Sequence, residues 1–183
     1  MPDLNQSRRQ PEIRAVAGVR LLPAASRWIL RAGSAALAAA SVPLGVTLPT
    51  GSSRSESGRD CAVLWLGPDE YLLLAPLTHG ASLRSALEQA LAGLPHSLVD
   101  VSHRQVALEI RGPHAAALLS AGCPLSLDPE DFPPGTCTRT LLGKADIVLW
   151  RTAAEAFHLE VWRSFASYVA NFLAEAAFDV DPA

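Results

Sequence analysis

The chain has 183 residues, 49% of them hydrophobic, which supports one good core or two small interlocked halves but not two large independent domains. Fifteen basic residues against 18 acidic ones give a formal net charge of −3, and with no basic run in the body of the chain this excludes a nucleic-acid binder. Three cysteines, Cys61, Cys123 and Cys137, form no CxxC pair, which argues against a disulfide framework or a zinc knuckle and fits a reducing, cytoplasmic setting.

The opening MPDLNQSRRQPE is polar, bears proline and lacks a following apolar segment, so it does not read as a secretory signal. Residues 1–26 are expected to be a flexible tail. The apolar stretch 28–49 carries Arg31 and Pro43 and is mostly alanine, which suits a buried strand and helix better than a membrane span. RWILRAG (27–33) reads as an extended run and SAALAAAS (34–41) as a helix of strong helix formers, ended by Pro43. The Ser- and Gly-rich stretch 49–60 offers too little apolar surface to pack and is expected to be a mobile loop.

CAVLWLG (61–67) and EYLLLAP (70–76), separated by Pro-Asp, read as an antiparallel hairpin. Residues 81–92 place Leu83, Leu87 and Leu91 on one face, as in an amphipathic helix. The second half opens with SLVDVS (97–102) and QVALEIRGP (105–113), where Val106, Leu108 and Ile110 alternate with Ala107, Glu109 and Arg111 as in a half-buried strand. Pro113 then opens a short helix. After the acidic loop SLDPEDFPPGT come three strand candidates at 138–142, 147–150 and 157–162. The final helix carries Phe165, Val169, Phe172, Leu173 and Ala176 on one stripe.

The two halves repeat. LRAGSAALAAASVPLG (30–45) parallels IRGPHAAALLSAGCPLS (110–126), and VLWLGPDEYLLLAP (63–76) parallels VLWRTAAEAFHLEVW (148–162), aligning Trp65 with Trp150 and Glu70 with Glu155. Each half reads roughly as strand, helix, strand, strand, helix, with extra strands at the junction and in the second half. The fold class is therefore α+β, two tandem ferredoxin-like (split βαβ) halves intertwined around a shared core, over 27–96 and 97–178, with a C-terminal tail at 179–183.

Chemistry-bearing residues are sparse. DVSHR (100–104) holds an acid, a hydroxyl and an imidazole, but in a strand Asp100 and Ser102 share one side while His103 points to the other, so local turn hydrogen bonding is the simpler reading than a hydrolytic relay. The cysteines read as structural. The five histidines show no HxxxH or HExxH spacing, and there is no nucleotide-binding glycine loop. Trp65, Trp150 and Trp162 read as core packing first and interface anchors second. No catalytic, cofactor-binding or metal residue is assigned.

The segments LGPDEYLLL, DVSHRQVALEIRGP, CPLSLDPEDFPPGTCTRTLLGKADIVLW and FHLEVWRSFASYVANFL, spread over roughly 27–177, resemble the gamma subunit of heterotetrameric sarcosine oxidase. The resemblance implies an accessory, non-catalytic chain of an oxidoreductase complex with alpha, beta and delta subunits. That complex demethylates sarcosine to glycine, with hydrogen peroxide and formaldehyde, or methylene-tetrahydrofolate, as products. It also implies that FAD, FMN, NAD, zinc and tetrahydrofolate belong to the partner subunits. An equivalent subunit of a complex acting on another N-methyl amino acid fits the same resemblance.

SLVDVSHRQVALEIRGPHAAALL is similar to the aminomethyltransferase family, whose tandem α+β fold binds folate and whose members carry a Gly-Gly and an Asp-Asp pair. Here LLGKADIVLWR keeps Gly143 alone and has Ala145 in place of the first acid, leaving Asp146. The alternative that this resemblance implies is a folate-binding, aminomethyltransferase-like protein using Asp146, although the paired acids are broken.

Overall fold

The computed structural model describes residues 16–180. In chain order the elements are β1 (Val19–Leu21), β2 (Ala25–Ala32), α1 (Ser34–Leu44), β3 (Ser55–Ser57), β4 (Ala62–Gly67), β5 (Glu70–Pro76), α2 (Leu77–Ala90), β6 (His96–Asp100), β7 (Gln105–Arg111), α3 (Ala115–Ser120), β8 (Cys137–Leu142), β9 (Ala145–Ala153), β10 (Ala156–Trp162) and, after a 3-10 turn at Arg163–Phe165, α4 (Ala166–Val180). They form two five-stranded sheets, one ordered β3-β4-β5-β2-β6 and the other β8-β9-β10-β7-β1, antiparallel at every pairing.

The two orders match element for element. In the first sheet, β2, α1, β4, β5, α2 and β6 run in the split βαβ order of a ferredoxin-like unit, with β3 added at one edge. The second sheet repeats this with β7, α3, β9, β10 and α4, and β8 at its edge, but its last position is filled by β1 from the start of the chain. Each repeat therefore begins with a strand that belongs to the sheet of the other repeat. β1 leads into β2, and β6 leads into β7.

This exchange moves the boundaries expected from the sequence. One compact unit comprises residues 24–102, and the other joins residues 16–23 with residues 103–180. The expected break at 96/97 falls instead after β6, because Leu98 and its neighbours pair with β2, from Trp28↔Asp100 to Ala32↔His96. The expected tail at 1–26 is corrected over its last part. Val19 and Leu21 pack on the second unit's core, and β1 pairs with β7 through Val19↔Ile110 and Leu21↔Leu108. Residues 1–15 and 181–183 of the expected tails lie outside the described residues, and α4 continues to Val180.

Each unit has its own apolar cluster, so the expected single shared core is replaced by two. The 24–102 unit packs Trp28, Leu30, Ala36, Ala40, Val63, Tyr71, Leu73, Leu87 and Leu91 between its sheet and the helices α1 and α2. The other packs Val106, Leu108, Ile110, Leu119, Leu149, Phe157, Leu159, Val169 and Leu173 against α3 and α4. Removing such side chains from water supplies the main drive for folding each unit, at ~25 cal/mol per Å² of apolar surface.

Three local expectations are revised. Pro43 does not end α1 but sits inside its last turn. The stop is Gly45, whose φ of 63° gives the left-handed cap that a side chain would strain, and whose N–H donates to the Val42 carbonyl. The Ser/Gly-rich stretch is not loop throughout, since Ser55–Ser57 forms β3 on β4. In β7, Ala107 is as buried as its neighbours, so the strand is covered on both faces over its middle rather than half-buried.

The Trp65/Trp150 alignment is shifted by one position in space. Trp65 pairs with Tyr71 and packs on the helix-side core of its unit, while Trp150 pairs with His158 and lies on the opposite sheet face, 5.6 Å from the His158 ring. The bulges fall at equivalent places, since Trp65↔Tyr71 and Gly67↔Glu70 match Arg151↔Phe157 and Ala153↔Ala156. Arg151 is therefore the counterpart of Trp65, the letter alignment is one residue out, and a one-residue offset exchanges sheet faces.

Candidate functional site

The DVSHR segment is a turn. The Ser102 N–H donates to Asp100 Oδ1 at 2.8 Å, and the Arg27 N–H donates to Ser102 Oγ at 2.9 Å. The hydroxyl of the supposed relay is thus anchored to the β2 backbone. His103 is exposed.

All three cysteines are free. The Cys61 thiol donates to the Leu44 carbonyl at 3.1 Å; burial pushes its pKa up, a Gly58 backbone hydrogen bond opposes this, and the Asp60 charge adds to the rise. A thiol held in its protonated form is a poor nucleophile. Cys61 borders a groove of about 480 Å³ within the 24–102 unit, lined also by Val42, Pro43, Arg59, Asp60, His79 and Leu83. There His79 Nδ1 lies 3.5 Å from Asp60 Oδ1 with both side chains half-exposed, a surface pair. Cys123 and Cys137 are buried.

The stretch LLGKAD is the β8–β9 turn. Gly143 takes φ +58°, and a Cβ there would run into the Tyr168 hydroxyl. The same hydroxyl accepts the Lys144 N–H at 3.0 Å, and the Gly143 N–H donates to the Gly122 carbonyl at 3.0 Å, so the turn is fastened down on α4. From there β9 alternates. Ala145 is fully buried in the core, while Asp146 points the other way into solvent opposite Leu141. An acid at position 145 would be aimed into the apolar cluster, away from Asp146. The residues present do not form the paired-acid arrangement associated with folate.

Sequence reasoning missed the residues with the densest polar contacts. Arg151, only 3% exposed, donates to the carbonyls of Leu127 (3.0 Å), Phe132 (2.9 Å), Ala153 and Ala154, and its guanidinium lies 4.9 Å from the Phe157 ring centre. It pins the acidic loop to the sheet. Fully buried Glu160 pairs with His158 Nε2 at 2.8 Å. Glu109 receives Arg20 at 2.9 Å and Arg111 at 3.2 Å; partial burial would raise its pKa, but these hydrogen bonds and charges outweigh it and leave the carboxyl below its ordinary range. A charged residue in an otherwise apolar strand, as in AFHLEVW, was the available signal, because a buried charge requires partners.

Among the described residues, no group of three or more His, Cys, Asp or Glu side chains could hold a metal ion, and no helix is long and apolar enough to cross a membrane.

Fold and contacts together define a duplicated, strand-exchanged α+β scaffold in which Asp100 and Ser102 hold a turn, Cys61 bonds the end of α1 and Arg151 anchors a loop. Residues 31–179 match the sarcosine oxidase, gamma subunit family. The chain is similar to sarcosine oxidase subunit gamma of an Arthrobacter species, 36% identical over 160 residues that cover 87% of this chain and 73% of that one. It is also similar to the subunit gamma of Corynebacterium sp. (strain P-1), at 35% over 160 residues with the same coverage. The chain belongs to the sarcosine oxidase gamma subunit family.

Among solved structures, it superposes with a TM-score of 0.83 and 32% identity on a chain of the heterotetrameric sarcosine oxidase from Corynebacterium sp. U-96 in complex with pyrrole 2-carboxylate, covering 88% of this chain and 84% of that one. The glycine cleavage system aminomethyltransferase T from Bartonella henselae gives a TM-score of 0.69 at 16% identity, covering 85% of this chain and 45% of that one. That second likeness shows the fold alone.

Proposed function

We propose that this chain is an accessory, non-catalytic subunit of a heterotetrameric sarcosine oxidase, assembled in the cytoplasm with alpha, beta and delta subunits. Those partners would carry FAD, FMN, NAD, zinc and the tetrahydrofolate chemistry, and would convert sarcosine to glycine with hydrogen peroxide and formaldehyde or methylene-tetrahydrofolate. The observation that carries this reading is the family match over residues 31–179, joined by the fold match to a chain of the heterotetrameric enzyme. The engagement of Asp100, Ser102 and Cys61 in local structure supports a scaffolding role, because a fold can persist for packing without a reacting site of its own.

The experiment is co-expression with the three partner subunits, followed by separation on size. The chain is expected to elute with the flavoprotein peak and to be colourless when expressed alone. Elution apart from that peak under all conditions would contradict the proposal.

A further inference from the structure

Trp162 and Phe165 remain 45% and 39% exposed, three residues apart where β10 passes into the 3-10 turn. The Arg104 guanidinium stands over the Trp162 ring, 5.4 Å from its centre, and among the described residues no carboxylate lies within ion-pair distance of it. The corner is preformed. Arg163 Nε donates to the His103 carbonyl at 3.2 Å and its backbone N–H to the Arg104 carbonyl at 2.8 Å, which fixes the 103–104 turn against the end of β10. Below, Gln105 sits opposite Trp162 in register, 7% exposed, and its Oε1 accepts no hydrogen bond among the described residues.

Exposed His103, Arg104 and Trp162, beside Arg163 and Phe165, therefore share one corner of a chain whose net charge is −3. The acid nearest along β10, Glu160, is fully buried and hydrogen-bonded to His158. Tryptophan and arginine together are the residue types that dominate binding energy at protein interfaces, and an uncompensated guanidinium selects a carboxylate. An exposed indole beneath that guanidinium gains further from being covered.

The geometry points to this corner as the docking point for an acidic, apolar-bearing segment of another subunit of the assembly, with Trp162 as the anchor and Arg104 as the charge reader. This inference rests on the accessory-subunit reading above.

The test uses the chain titrated onto the separately purified alpha–beta–delta assembly, in four forms: wild type, Trp162→Ala, Arg104→Glu, and Leu77→Ser as a control at an exposed apolar position in the other unit. Binding is read by interferometry at low and high salt, with melting temperatures confirming that each variant folds. Loss of a central anchor corresponds to at least about thirty-fold weaker binding for Trp162→Ala. Reversing the charge weakens Arg104→Glu about ten-fold or more, with the deficit shrinking at high salt. Leu77→Ser binds as wild type does.

If wild type binds and both corner variants bind within two-fold of it, this surface is overturned while the accessory reading stands. If wild type itself does not bind, that reading fails and takes the surface with it. A corner mutation that dissociates a homodimer of this chain, with no effect on the complex, assigns the corner to a second copy and also overturns the inference. Should Trp162→Ala fail to fold, Arg104→Glu, which changes an exposed side chain, decides alone.

Discussion

Replacing Arg151 with methionine isolates the contribution of one buried guanidinium to the order of a long loop. Methionine keeps most of the stem volume over Phe157 but offers no donors, so the Leu127 and Phe132 carbonyls lose the buried partners they now hold at 3.0 and 2.9 Å. A buried acceptor left without a hydrogen bond costs about 1–3 kcal/mol, which for two carbonyls gives roughly 2–6 kcal/mol. The carbonyls of Ala153 and Ala154 belong to exposed residues, so water replaces the lost donors there at little cost. Relief of the guanidinium's own desolvation offsets part of the loss, which places the net effect at about 2–4 kcal/mol. At about 2–4 °C per kcal/mol for a chain of this size, Arg151→Met should melt roughly 5–15 °C below wild type. Thermal unfolding followed by circular dichroism reads the first quantity, and hydrogen exchange of the loop's non-proline amides, including Asp131 and Phe132, whose N–H groups bond the Asp128 carbonyl, reads the loop directly. A melting point within 2 °C of wild type, with unchanged protection in the loop, would refute the claim that Arg151 holds it.

Three further outcomes follow from the same structure. Because the Glu109 carboxyl titrates below its unfolded value, its share of stability is present above the ordinary carboxylate pKa of about 4 and is lost as pH falls through the folded value. Glu109→Gln should therefore flatten the acid limb of a plot of melting temperature against pH, and an unchanged limb would contradict the assignment. Cys61, with its raised pKa, and the buried Cys123 and Cys137 should react slowly with a thiol reagent at neutral pH, whereas all three should react promptly in denaturant; a fast native thiol would show that the contacts around Cys61 open in solution. In the full complex, Asp146→Ala should leave sarcosine turnover within two-fold of wild type, with or without tetrahydrofolate, and a ten-fold fall would place this chain at the folate site.

The strands and helices were legible wherever one physical signal dominated. The runs around Val63 and Leu73, and the spaced leucines of α2, are apolar enough to be unambiguous, and they fold as the periodicity says. The repeat was legible too, because duplicated elements leave duplicated letters. The exchange of β1 and β6 was not. Which sheet a strand joins is decided by long-range pairing such as Val19↔Ile110, and β1, with three residues, is too short to show a period. The offset between Trp65 and Trp150 was hidden because matching the letters VLW in both strands puts the alignment one residue out, and only the strand register shows that Arg151↔Phe157 is the counterpart of Trp65↔Tyr71. Of the site, the local turn at Asp100 and Ser102 could be read because its partners are neighbours in sequence. The anchoring by Arg151 could not, because the loop carbonyls it holds, those of Phe132 and Leu127, lie 19 and 24 residues away.

The most direct measurement of the accessory role is affinity purification of the tagged chain from the cell that makes it, with absorbance and subunit masses recorded on the product. A flavin-coloured complex that contains this chain beside larger flavoprotein subunits, and that oxidises sarcosine, is the predicted result. A colourless, stable monomer recovered alone, with no flavoprotein retained, would contradict it.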